Sequence, residues 1–455
     1  MLIMRLSFVP RSLLLAGFCT LFGFDSAVAG IPAPSISPQD LAQAWDREHV
    51  SPALPALLNH SEVTRRLDAV VSKSPDLFSK ERIGESVEGR TIFHVKLGTG
   101  EVHVLLWSQM HGDEPTATAA LFDLFEYVRL HRDEPVVRRI LSRLTLHVIP
   151  MLNPDGAERF QRRNAQGIDI NRDALRLQTP EGRILKALRD RIQPKVGFNL
   201  HNQNWRTSVG EPPKPASISL LSVAFDKERT VSPGRELTKK LCAVIRDALE
   251  ALAPGQIGRY DDAFEVRAFG DNITLWGTPV VLIETGAWAG EPPDPPLVRL
   301  NFVALVTALD ALATGRVNYA DPLRYESLPV NESRLFYILV RNATVISGTG
   351  IPPFTADIGI TANRRVRSVR GRRELVLTTT LEDLGDLRTR GALREIDASG
   401  MTLVPDTGYR EGAIVDLPDW RVKSNKPLRL GQPPRLALLR PASGGKYRVE
   451  MVLVK

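Results

Sequence analysis

Between about residue 40 and residue 315, short apolar runs alternate with amphipathic stretches. The runs VHVLLWS (102–108), LTLHVIPMLN (144–153), KVGFNLH (195–201) and TPVVLIETG (278–286) are rich in Val, Ile and Leu and carry few charges. Strands of that kind are buried on both faces. Between them lie TATAALFDLFEYVRLH, TPEGRILKALRDRI and GRELTKKLCAVIRDALEAL, in which apolar residues recur at helical spacing. The alternation predicts an α/β fold: a mixed, mostly parallel sheet with helices on both faces. In such folds ligands bind at the carboxyl ends of the strands.

The pattern changes after GRVNYADPLRYESLPVNESR. That stretch is polar and contains proline, and residues 316–334 read as a linker. From 335 to 455 the chain shows short strands and turns, such as RLFYILVRNATVIS, RELVLTTTLEDL and KYRVEMVLVK, with almost no helical periodicity. A small all-β domain, a β-sandwich, is expected there.

Composition narrows the class. The chain has 455 residues, 43% hydrophobic and 24% charged, as an ordinary globular protein of two or three domains has. Its first 29 residues carry Arg5 and Arg11, then the apolar run 12–24, then Ala27-Val28-Ala29. A basic start, a short apolar centre and an A-x-A ending predict a signal peptide cut after Ala29, and hence a periplasmic or secreted protein. The apolar run is too short to span a bilayer, and Phe18 precedes Cys19 where a lipoprotein leader needs a small residue, so no membrane anchor is expected. Cleavage leaves Cys242 as the single cysteine, which excludes an internal disulfide. It also lowers the formal charge from +7 to about +6. The basic residues read as scattered, without interleaved aromatics, so nucleic acid is not an expected partner.

Candidate chemistry begins at WSQMHGDEP. His111 and Glu114 lie three residues apart, just past the strand 102–107. A zinc site with an open position needs three N or O ligands, for instance two His and one Glu. His201, at the end of the strand 196–200, supplies a third; His103 and His147 lie inside strand patterns, and His49, His60, His94 and His131 precede or lie outside these strand ends. Arg162, Arg163, Asn171 and Arg172 fall in the loop-rich stretch between, where guanidinium groups can bind carboxylates or an oxyanion. Glu284 ends another strand, where a carboxylate could take a proton from a zinc-activated water. Each of these residues alone has an ordinary structural reading: a solvated loop pair, a capping residue, a buried acid. Together, in order and on strand ends, they predict a metal site.

HGDE, NPDG, R-x-N…GIDINR, a strand-terminal His and ETG stand here in the order found in zinc metallocarboxypeptidases, and IGESVEGRTIFHVKLG (83–98) resembles the opening of many of their catalytic domains. The resemblance covers roughly residues 60–310 and makes 30–315 the catalytic domain. It implies one zinc per chain held by His111, Glu114 and His201, with Asp169 supporting His111. It makes Arg162 the oxyanion-stabilising arginine; Arg163 would sit one residue closer to Asn171 than the usual spacing. Asn171 and Arg172 match the pair that clamps a terminal carboxylate, and Glu284 the general base. Tyr260, the only tyrosine between His201 and Glu284, matches the one that covers bound substrate. Two departures stand out: Ala174 replaces an aromatic that often follows NRD, and the segment from Arg172 to His201 is short. Asp271, in FGDN near the expected specificity wall, reads better as a turn residue than as a selector of basic side chains.

The segments LVRNATVISGTGIPPFTADIGI and GDLRTRGALREIDASGMTLVPDTGY resemble the composite β domain that flanks the barrel of amidohydrolases, but no metal-binding barrel follows and the chain has no His-x-His. The expectation is therefore a carboxypeptidase acting on peptides with a free carboxylate. A zinc amidase or deacylase of N-acyl amino acids or cell-wall peptides is the alternative, and a non-catalytic binding protein the second.

Overall fold

The computed structural model describes residues 36–290, 294–347, 351–370, 372–405, 408–417 and 428–453. The expected leader, residues 1–29, lies outside the described residues.

Helices α1 (Pro38–Glu48), α2 (His60–Lys73), α3 (Thr116–Leu130), α4 (Pro135–Arg143), α5 (Pro154–Arg159), α6 (Pro180–Ile192), α7 (Pro233–Glu250), α8 (Phe269–Leu275), α9 (Asp294–Thr314) and α10 (Leu323–Glu326) precede residue 330. Their starts follow local chemistry. Ser37, Asn59, Asn153, Thr179 and Ser232 each accept a backbone N–H of the first turn, and proline fills the first helical turn of α1, α5, α6 and α7. Amphipathicity is lost in α9, long and apolar enough to cross a membrane by composition, yet mostly buried. It packs against α1, α3, α4 and α7, so apolar residues all round it are what a core helix needs.

The first sheet contains β1 (Phe78–Glu85), β2 (Thr91–Leu97), β3 (Val102–Ser108), β4 (Leu144–Ile149), β5 (Val196–Asn202), β8 (Ile218–Ser222), β9 (Ile257–Arg259) and β10 (Val280–Thr285) in the order β1-β2-β4-β3-β5-β10-β8-β9. The central strands β4, β3, β5 and β10 run parallel, β1 and β2 run against their neighbours, and β8 runs against β10 but parallel to β9, which makes the sheet mixed. One core, built on Phe122, Phe125, Phe198 and Phe302, joins one face to α1–α4, α7 and α9; another, with Trp107, Leu185 and Phe269, joins the other face to α6 and α8. Strands β6 (Thr207–Val209), β7 (Lys214–Pro215) and β11 (Glu332–Ser333) form a small separate sheet.

The expected linker is packed rather than loose. Tyr325 is buried, its hydroxyl accepts the backbone N–H of Ser222, and Lys239 pairs with Glu326 at 2.5 Å. Proline and polar residues in this stretch mark tight turns on the surface of the first region.

Beyond it, β12 (Leu335–Val345), β13 (Phe354–Val369), β14 (Arg372–Gly385), β15 (Gly391–Asp397), β16 (Thr402–Pro405), β17 (Ile414–Val415), β18 (Leu436–Pro441) and β19 (Tyr447–Leu453) form an eight-stranded sheet in the order β14-β13-β12-β16-β18-β19-β17, with β15 beside β12. Val340, Ile358, Leu403 and Leu438 anchor its largest core. The basic residues are not all scattered, as expected from the sequence. Arg364, Arg365, Arg367, Arg370, Arg372 and Arg373 gather on the β13–β14 hairpin, because antiparallel pairing folds one run back on itself.

Candidate metal centre

His111 and Glu114 lie in the turn that joins β3 to α3, and His201 and Glu284 are register partners near the carboxyl ends of the parallel strands β5 and β10. One ligand atom from each of His111, Glu114 and His201 falls within 4.8 Å of the others, and all three residues are buried. The Glu114 carboxylate lies 2.7 Å from His111 Nδ1 and 2.7 Å from His201 Nδ1, and it accepts the Asn202 backbone N–H at 3.1 Å. Two imidazole nitrogens and a carboxylate are the donor set of a zinc site that keeps one position open. The other nitrogen of His111 donates to Asp169 Oδ1 at 3.1 Å, which directs the Nδ1 lone pair inward. His201 Nε2 and Glu284 Oε2 are buried without a partner. The residues present therefore fit the metal.

The loop geometry explains NPDG. Asn153 caps α5 through the Gly156 N–H and donates to Met110 O, while Asp155 holds Ser86 and Arg90. A Cβ on Gly112 would fall 2.0 Å from Gly156 C, so the His111 turn can approach α5 this closely only with glycine at 112.

Electrostatics follow from burial and crowding. Burial alone would disfavour the Glu114 carboxylate, but His111 and His201 hold its pKa far below the ordinary value. Burial likewise works against a charged His111; Glu114 and Asp169 outweigh it and raise its pKa to about 9. His201 is pushed down by burial. Glu284 is pushed well up, by burial first and by the Glu114 charge second.

Arg162 Nε donates to Asp169 Oδ2 at 2.9 Å, and its Nη1 lies 3.1 Å from His111 Nδ1. Arg163 instead donates to Gly167 O on the surface, in line with its poorer spacing. Asn171 is held by Asp169, and its Oδ1 accepts the Phe269 N–H at 2.8 Å. Arg172 Nη1 donates to Asn171 O, and its Nε lies 3.5 Å from Glu265. Tyr260 has its hydroxyl pKa pushed up to about 12, by burial and then by the nearby Glu284 and Glu114 charges, so it lies within their field. Asp271 accepts the Glu265 N–H, as a turn residue does, and burial raises its pKa to about 7. Ala174 is buried in the core that also holds Trp107 and Phe269, on the face that α8 covers. One contributor escaped sequence reasoning, Asn202, whose position directly after His201 was the available signal; the neighbouring Asp113 is half-buried, with its inner Oδ1 unpaired.

The remaining strand histidines have a different use. His94, His147 and His103 form a ladder across β2, β4 and β3, with N···N distances of 3.0 and 2.9 Å, and His94 faces Glu81 at 3.2 Å. Burial, then His94 and His103, push the His147 pKa down to about 3.

Residues 63–214 match the family model described as zinc carboxypeptidase. Among characterised proteins, the chain is 30% identical over 137 residues to carboxypeptidase E of Caenorhabditis elegans, covering 25% of this chain and 29% of that one. It is 27% identical over 216 residues to carboxypeptidase D of Rattus norvegicus, covering 44% and 15%, and 31% identical over 148 residues to carboxypeptidase SOL1 of Arabidopsis thaliana, covering 29% of each. The chain thus spans less than a third of the length of these relatives. A solved metallo-carboxypeptidase from Burkholderia cenocepacia aligns with a TM-score of 0.44 at 22% identity, over 55% of this chain and 69% of that one. The matched segment is thus similar to a metallocarboxypeptidase catalytic domain. The chain holds that matched segment together with a sheet-rich C-terminal region.

Proposed function

We propose that this protein is a zinc-dependent carboxypeptidase that hydrolyses the C-terminal peptide bond of its substrates. The observation that carries the reading is the meeting of His111, Glu114 and His201 ligand atoms within 4.8 Å, beside Glu284 on the adjoining strand end. These three residues would hold one zinc ion per chain. Bound there, zinc supplies Lewis acidity, lowering the pKa of water and polarising a carbonyl.

The chain's own groups supply the rest. Asp169 keeps the His111 Nε2 proton in place and so its Nδ1 free to ligate. Glu284, buried with one oxygen unpaired, accepts the proton of the attacking water and returns it to the amine as the C–N bond breaks. Arg162, held by Asp169, donates to the oxyanion that develops on the carbonyl. Asn171 and Arg172 receive the terminal carboxylate, which selects the chain end, and Tyr260 closes over the substrate. The same proposal makes residues 1–29 a cleaved leader of an exported protein, a reading supported by their composition alone, and 335–455 an accessory domain.

The test is metal analysis of the purified protein beside His201→Ala, together with release of residues from a mixed peptide pool. One zinc per chain, lost in the variant, with residues freed from carboxyl ends, is the expected result. Zinc without trimming would transfer the reading to an amidase, and no zinc in either protein would end it.

A further inference from the structure

Six of the ten residues from 364 to 373 are arginine. They lie on the β13–β14 hairpin, whose register pairs Arg364 with Leu377, Arg365 with Val376, Arg367 with Glu374, Ser368 with Arg373 and Val369 with Arg372. Opposed residues share a face, and faces alternate along a strand. Arg364 and Arg373 therefore point one way, and Arg365, Arg367 and Arg372 the other.

The first face is clamped to the catalytic region. Arg364 makes a two-pronged pair with the buried Asp294, at 2.7 and 3.1 Å. Arg373 donates to Glu158 O at 2.6 Å, Ala157 O at 3.0 Å and Ala56 O at 3.5 Å. Beside them the Trp205 indole donates to Ala362 O, and Arg206 pairs with Glu382. Four of these anchors, in three segments, share a property. Ala157 and Glu158 follow the carboxyl end of β4, Trp205 follows that of β5 four residues after His201, and Asp294 follows that of β10 ten residues after Glu284. The α5 turn itself touches the His111 turn through Gly112 and Gly156. The hairpin is thus fastened to three segments that leave the sheet at the carboxyl end where the metal centre lies.

The second face is left with its charge. Arg365, Arg367, Arg370 and Arg372 are exposed. Arg367 meets Glu374 at 3.5 Å, and no acid pairs with Arg365, Arg370 or Arg372 among the described residues. An arginine needed only for packing or solubility has no reason to be repeated at this density beside a site. Unpaired guanidinium groups at short intervals suit carboxylates spaced along an extended chain.

Resting on the carboxypeptidase reading, we propose that this hairpin is a docking rail for an acidic stretch of the substrate polypeptide, upstream of the bond that is cut. The rail raises the local concentration of acidic chains at the mouth of the site, and its effect falls as salt screens it.

The experiment compares two peptides with the same C-terminal residues, one carrying a run of glutamates upstream and the other glutamines. The proteins are the wild type and the triple variant Arg365→Gln, Arg367→Gln, Arg372→Gln. In the wild type, KM for the acidic peptide is expected to be roughly tenfold lower than for the neutral one, with kcat alike, and the advantage shrinks with added salt. The triple variant loses the advantage and keeps its rate on the neutral peptide. Equal KM values in the wild type, or an advantage that survives the triple substitution, would overturn the rail. Binding of the acidic peptide with an amidated C-terminus, followed by fluorescence anisotropy, separates the two readings. Wild-type binding lost in the variant supports the rail even where neither peptide is trimmed, an outcome that sinks only the carboxypeptidase assignment. Sedimentation with phosphatidylglycerol vesicles, without discrimination between the peptides, would make the hairpin a membrane contact and refute the proposal.

Discussion

Strands β4 and β10 are buried from end to end, whereas β13 and β14 alternate between buried, half-buried and exposed positions over much of their length. The difference decides where each region can keep polar chemistry. A strand covered on both faces can place a charged group cheaply only where it runs out, so Glu284 and His201 stand near the ends of β10 and β5. The His94–His147–His103 ladder is the exception, and its nitrogens satisfy one another. A half-exposed hairpin can carry charge anywhere along its outer face, and there the register rather than the strand end chooses which arginines stand together.

The contrast can be tested at its strongest point first. Glu284→Gln keeps the shape and the buried site but removes the base; kcat is expected to fall by roughly 10²–10⁴ with zinc content unchanged. A variant that retained its rate would detach chemistry from the strand ends. Arg162→Ala removes the donor held by Asp169, and steady-state kinetics should show a loss of roughly 10²–10³ in kcat. If KM alone rose, Arg162 would be a binding group.

In the C-terminal sheet, Leu403→Ala opens a cavity in a fully buried position, at about 2–5 kcal/mol by denaturant titration. Hydrogen exchange should report the loss in β12, β16 and β18, while zinc content stays at one per chain; loss of zinc would mean that the two regions are not separable.

The smallest effect concerns the ladder. His147, with its pKa pushed down from 6.5 to about 3, stays neutral in the fold but gains a proton on unfolding below 6.5. The unfolded state then binds more protons, so stability is complete above 6.5 and declines as pH falls toward 3. Glu81, Arg191 and Lys96 surround the ladder and add their own fields, Arg191 and Lys96 opposing the proton. His147→Gln should flatten the acid side of the Tm profile, by roughly 4 °C at pH 4. An unchanged slope would remove the ladder from the acid response.

Much of the catalytic side was open to sequence reasoning because its rules are local. The apolar runs announced strands, the run-out points announced the site, and the spacing of His111 and Glu114 across one turn allowed both to face a common point. Other features had no local rule. The arginine run read as ordinary scattered charge, since nothing in RRVRSVRGRRE says which guanidiniums will meet Asp294 and Glu158. The packing of the segment 316–334 was not legible, because it depends on Ser222 and Lys239, far away in sequence.

The sequence by itself determined the alternation of strands and helices, the candidate ligands and the change of character near residue 335, because periodicity and side-chain type act over a few residues. Only the tertiary structure decided that Glu284 lies level with His201, that Asp169 and Arg162 lock together behind His111, and that the hairpin is fastened to the rim of the site. Those relations join residues from seven to more than two hundred positions apart, and only folding of the chain as a whole brings such pairs within hydrogen-bonding reach.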